Sequence, residues 1–202
     1  MIDWTHPAQA ALPGMTALRR AIHAEPELGL HNPRTAEKIM AALAGLPLEY
    51  RTGPSTTGII ATLKGPANGR TVLLRGDTDA LPMPEETGLN FASTIPGAMH
   101  ACGHDGHTAM LLAAAQHLAA HRNFDGTVYL IFQPAEEGGG GAREMIKDGL
   151  FDKFPVDAVF GLHNWPGMAV GKAAVSAGPG TGHTGTGFPA RARAAADVPV
   201  AG

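Results

Sequence analysis

The chain has 202 residues, enough for one large domain with a sizeable hydrophobic core. Its 15 basic and 18 acidic side chains leave a net charge of −3 with no clustered Lys and Arg, so a nucleic-acid partner is not expected. No apolar run reaches the roughly eighteen residues of a membrane span, the opening "MIDWTHPAQA" does not read as a secretory signal, and a lone cysteine, Cys102, excludes an internal disulfide, so the cytoplasm is the expected compartment.

Met15, Leu18 and Ile22 at helical spacing predict a helix over 14–24, closed before Pro26. A second helix is expected over 34–44, with Ala36, Ile39, Met40 and Leu43 on one face. "TGIIATLKG" (57–65) and "TVLLRGDTDALP" (71–82) are short, rich in β-branched residues or leucine, and bounded by Gly or Pro, and they read as strands. Residues 107–120 carry Met110, Leu111, Ala114, Ala115 and Leu118 as a stripe, which predicts a helix with one buried side. "GTVYLIFQPAEE" (126–137) has the nearly continuous apolar run of a strand covered on both faces. "GAREMIKDGL" (141–150) reads as a short helix, "VDAVFGLHNWPG" (156–167) as a further buried strand, and "AVGKAAVS" (169–176) as one more. Strands alternating with helices predict an α/β layered sheet, in which ligands sit outside the carboxyl ends of the strands.

The polar residues fall at those ends. Asp77 and Asp79 follow one strand, Glu136 and Glu137 another, and His163 a third, while Cys102 and His104 are expected just before the long helix. Imidazole, carboxylate and thiolate are the ligands of zinc, manganese, cobalt and similar cations. Cys102 and His104 stand two apart in a glycine-containing turn and both reach one ion. His163 adds a third donor and one of the paired glutamates a fourth. The other glutamate is then free to act as base on a metal-activated water. A cysteine by itself is ordinarily a core residue, and paired carboxylates in a Gly-rich turn ordinarily face solvent. Four segments converging on one sheet edge favour the metal. His117 and His121, four apart with no carboxylate beside them, are assigned to the surface. A rival chemistry makes Cys102 a nucleophile with His104 or His107 as its base, and it leaves Glu136, Glu137 and His163 without a role.

"LLRGDTDALPM", "HACGHDGHTAMLL", "FQPAEEGGGGAREMIKDGL" and "GLHNWPG", preceded by "RRAIHAEPELG", resemble the successive motifs of the metal-dependent amidohydrolases related to aminoacylase, in the branch of the hippurate and N-acyl-amino-acid hydrolases. The resemblance covers about residues 14–180. It implies a three-layer catalytic domain, with a mixed, largely parallel sheet flanked by helices. It implies Cys102, His104, Glu137 and His163 as ligands of a divalent ion (Mn, Zn, Co or Ni, one or two per site) and Glu136 as general base and proton shuttle. Asp77 and Asp79 are then supports behind the ligands. The implied reaction is hydrolysis of the amide of a small N-acyl amino acid, by full-length homo-oligomers.

The resemblance also implies more chain than is present: a dimerisation domain and a last ligand histidine. Residues 1–180 are therefore expected to be a partial catalytic domain, and 181–202, dominated by Gly, Ala, Thr, Arg and Pro, a disordered and frame-shifted tail in which His183 is no ligand. The chain by itself is expected to be poorly soluble and nearly inactive. Its alternative is a non-catalytic metal-binding fragment of the same ancestry.

Overall fold

The computed structural model describes residues 5–169. The strand expected over 169–176 falls outside them beyond its first residue, and the 181–202 tail with His183 falls outside altogether. In chain order the elements are α1 (Thr5–His23), α2 (Pro33–Leu43), β1 (Glu49–Thr52), β2 (Ile59–Lys64), β3 (Thr71–Asp77), α3 (His104–Ala120), β4 (Thr127–Gln133), α4 (Gly141–Lys147), α5 (Leu150–Lys153) and β5 (Ala158–Gly161).

The strands form one mixed sheet in the order β1-β2-β4-β3-β5. β4, β3 and β5 run parallel, and β1 and β2 are antiparallel to their neighbours. Alternation along β2 and β4 builds two cores. Ile59, Ala61, Leu130 and Phe132 face Ala36, Ile39 and Leu43 of α2 and Leu111, Leu112 and Ala115 of α3, with Met15 and Leu18 of α1 packed alongside. Ile60, Leu73 and Ile131 face the other way, onto Met145 and Leu150 of α4 and α5. Helices on both faces make the three layers that the apolar run of β4 anticipated, since a strand buried on both sides carries apolar residues at successive positions. Among the described residues, no helix is long and apolar enough to cross a membrane.

Four local expectations are corrected. Helix α1 begins at Thr5 rather than at 14 and carries Pro13 inside it; Ala8, Ala10 and Ala11 before the proline are strong helix formers and extend the helix on that side. Helix α3 begins at His104 rather than 107, so His104 lies in its first turn and not before it. Met110, expected on the buried stripe of α3, is exposed, while Asp105, His107 and Thr108 are buried. Strand β5, expected to be buried, is half-exposed, with Phe160 at the surface. β1 was not anticipated. Its four residues are all exposed, so no apolar alternation marks it, and it exists through its ladder to β2.

Candidate metal centre

The parallel registers align the ends of three strands: Asp77 of β3 pairs with Gln133 of β4, and Arg75 of β3 with Gly161 of β5. The carboxylates of Asp77 and Asp79, the Glu136–Glu137 pair and His163 therefore leave the sheet on one edge. The first turn of α3 and the turn just before it bring His104 and Cys102 to that edge. Gly103, between them, takes φ +86°, a left-handed conformation that allows the loop to turn sharply into the helix.

Donor atoms of Cys102, His104 and His163 lie within 4.8 Å of one another, as do those of His104, Glu136 and Glu137. His104 is common to both groups. The Cys102 Sγ stands 3.3 Å from His163 Nε2, and His104 Nε2 stands 3.7 Å from Glu137 Oε1. The sequence-predicted residues are thus brought together: His104 completely buried, Cys102, Glu136 and Glu137 partly so, and His163 exposed.

Asp79 takes the amide hydrogens of both glutamates, Glu136 N–H donating to Oδ1 at 2.9 Å and Glu137 N–H to Oδ2 at 3.0 Å. The preceding Ala135 holds φ at +53°, rare outside glycine, and a Cβ at Gly141 would overlap the Pro134 carbonyl oxygen. The turn carrying the glutamates is thereby wound into a single shape. Asp77, also buried, accepts from Arg75 Nη1 at 2.7 Å and from His107 Nδ1 at 2.6 Å. Burial pushes the Asp77 carboxyl upward, but the His107 hydrogen bond and the Arg75 charge overrule it and hold the group well below the usual carboxylate range.

The field at His104 is strongly negative. Burial opposes a charge on its ring, yet Asp79, Cys102 and Asp77 together push it up to about 11. Asp79 Oδ1 is 3.5 Å from His104 Nδ1, so it acts there by charge more than as an aligned hydrogen bond. Among the described residues neither ring nitrogen of His104 has a hydrogen-bond partner, although both are buried. Buried imidazole nitrogens without partners, set against carboxylates and a thiol, are the donor set of a divalent cation. Glu136 is raised by burial and then by its neighbour Glu137, the direction a general base requires.

Sequence reasoning named Asp77 and Asp79 as supports but missed His107, Asn164 and His23 behind these side chains. His107 follows His104 by three residues on the same helix, a spacing that places both on one face. Nothing local pointed to Asn164, which contacts His107, or to His23, whose Nδ1 lies 2.8 Å from the Asp105 carboxylate of the first turn of α3.

The same chain is 48% identical over 149 residues to the hippurate hydrolase of Campylobacter jejuni, covering 74% of this chain and 39% of the relative. It is 43% identical over 166 residues to the N-acetyl-L-cysteine deacetylase of Bacillus subtilis, covering 82% of this chain and 39% of that protein. A dinuclear metal-binding peptidase of the M20 family from Bacillus subtilis superposes with a TM-score of 0.79 at 41% identity, over 85% of this chain and 48% of the other. The chain thus spans about two fifths of the length of the curated relatives it matches. The model of peptidase family M20/M25/M40 matches residues 73–199, more than half of the sequence, and the chain belongs to that family.

Proposed function

We propose that the chain carries the principal metal and base residues of an enzyme that hydrolyses the amide bond of small N-acyl amino acids. The observation that carries this reading is the meeting of Cys102, His104 and His163 within 4.8 Å, with Glu136 and Glu137 grouped on the same His104. The named activities of the relatives in Campylobacter jejuni and Bacillus subtilis supply the substrate class.

In this reading Cys102, His104, Glu137 and His163 hold a divalent ion. When bound, the ion polarises the scissile carbonyl and acidifies the attacking water. Glu136, not needed as a ligand, takes the proton from that water and returns it to the leaving nitrogen, so that an acid and an amine are released. Its raised carboxyl suits both halves of that task. Asp79 keeps the two glutamates in distinct positions by fixing their backbone amides.

The test is hydrolysis of hippurate and N-acetyl amino acids after loading with zinc, manganese or cobalt, by the wild-type chain and by Glu136→Gln. Hydrolysis that depends on the metal and is lost in the variant, at unchanged metal content, supports the reading. A chain that takes up no divalent metal overturns it. A second reading is a thiol hydrolase, favoured by the 3.3 Å contact of Cys102 with His163, which is a different base from His104 or His107. Chelation separates the two: it abolishes the first activity and leaves the second.

A further inference from the structure

We propose that His107 is a positioning residue that holds His163 against Cys102 by way of Asn164, and that it is not itself a metal ligand. The inference rests on the metal-centre reading above. His107 is buried, with its ring 5.4 Å from that of His104 and 4.6 Å, edge-on, from that of His163. Donor atoms of Asp77, His104 and His107 also lie within 4.8 Å of one another, so on distance alone His107 qualifies as a ligand.

Its hydrogen bonds decide otherwise. The backbone N–H of Asn164 lies 3.0 Å from His107 Nε2, and a backbone N–H can only donate, so Nε2 accepts. Nδ1 then carries the proton and donates to Asp77 Oδ1 at 2.6 Å. Asp77 cannot swing away, because Arg75 Nη1 donates to its other oxygen at 2.7 Å and Arg75 Nε is tied to Gln133 Oε1 at 2.8 Å. With one nitrogen protonated and the lone pair of the other engaged, His107 has nothing left for a cation. The Asn164 carboxamide oxygen lies 2.6 Å from the same Nε2. A half-turn of the amide exchanges Oδ1 for Nδ2 and makes this contact a donor as well.

What His107 grips is the peptide that follows His163. The carbonyl of Asn164 accepts from His163 Nδ1 at 2.6 Å, which leaves His163 Nε2 facing the Cys102 sulfur at 3.3 Å. The Asn164 side chain lies against Gly103, where a Cβ would stand 2.7 Å from the Asn164 carboxamide. Gly103 separates Cys102 from His104, so Asn164 is lodged between the helix-entry loop and the His107 ring. His163 itself is exposed, and this clamp supplies the order that burial does not.

Cobalt(II) is the probe, with affinity from titration, the sulfur-to-cobalt absorption band, and the number of imidazoles from X-ray absorption. His107→Ala and His163→Ala are each expected to weaken binding roughly ten- to hundredfold and to remove one imidazole. The double variant is expected to be no worse than His163→Ala, since both act through one ligand. His107→Gln, whose carboxamide can still accept from Asn164 N–H, should recover part of the loss. Asn164→Ala, at the surface and safe for folding, should show a smaller change of the same kind. Additive losses, with two imidazoles missing from the double variant, would make His107 a ligand and overturn the proposal. So would His107→Ala and Asn164→Ala variants that bind cobalt as tightly as wild type. A wild-type chain that takes up no cobalt instead sinks the metal-centre reading, and this inference with it.

Discussion

Asp79 and Glu137 are joined through the backbone: the amide of Glu137 donates to Asp79 Oδ2, while the amide of Glu136 takes the other oxygen. One buried carboxylate therefore sets the path of a turn that carries two more, more than fifty residues further along the chain. Charge-assisted hydrogen bonds of this kind contribute about 1.5–3 kcal/mol each. Asp79→Ala is expected to cost about 2–4 kcal/mol in urea denaturation and to abolish metal uptake, because both glutamates lose their anchor. Asp79→Asn, which keeps one acceptor, should fall between. A variant with wild-type stability and metal affinity would show that Ala135 and Gly141 suffice to shape the turn.

The two glutamates should differ in kind. Glu136→Gln is expected to retain metal and lose hydrolysis. Glu137→Gln is expected to weaken metal binding by about 1–3 kcal/mol, as a charged ligand becomes a neutral one. Metal titration alongside turnover distinguishes them, and exchanged phenotypes would reverse the assignment.

Cys102 should be a ligand before it is a nucleophile. Cys102→Ser is expected to lower metal occupancy, and bound metal should protect the thiol from iodoacetamide. Since this is the only cysteine in the chain, mass spectrometry of the intact protein reads the modification directly. Equal metal content in both proteins, or alkylation at the same rate with and without metal, would falsify the assignment.

Metal binding should release a proton from His104. Without metal, the pKa of this imidazole is raised from 6.5 to about 11. A raised folded-state pKa contributes stability that is fully present below 6.5 and lost as pH climbs through about 11. A ligand imidazole must be neutral at the coordinating nitrogen, so between pH 7 and 9 the ion displaces that proton and affinity rises with pH. Calorimetry in buffers of different ionisation enthalpy counts the protons. A count of zero across that range would contradict the charge balance described for the site.

His23→Ala tests the support beneath the first turn of α3. Asp105, completely buried, is met by His23 Nδ1 at 2.8 Å and by Arg19 Nε at 3.0 Å. Removing the imidazole leaves a buried carboxylate with one cationic partner, itself half-exposed, and should cost about 2–4 kcal/mol. Urea denaturation measures it. An unchanged midpoint would mean that Arg19 alone is a sufficient partner for Asp105 Oδ2.

The sequence by itself determined the elements whose signals are local. The apolar runs of β2, β3 and β4, the 3.6-residue period of α2 and the Gly–Pro punctuation marked strands and helices within a few residues. The motif chemistry singled out Cys102, His104, Glu136, Glu137 and His163 as candidates, because four segments bringing thiol, imidazole and carboxylate to one sheet edge favour a metal over the ordinary use of each residue alone. What only the tertiary structure decided are relationships between distant segments. The antiparallel placing of β2 beside β4 and the exposed strand β1 depend on cross-strand registers that leave no pattern in either strand alone. Asp79 under the glutamate turn, Asp77 and Asn164 on His107, and His23 on Asp105 are pairs separated by 30 to 82 positions. Each is set by where the sheet and helices finally stack. A hydrogen bond needs its partners placed to within a few tenths of an ångström, and residue type alone carries no such information.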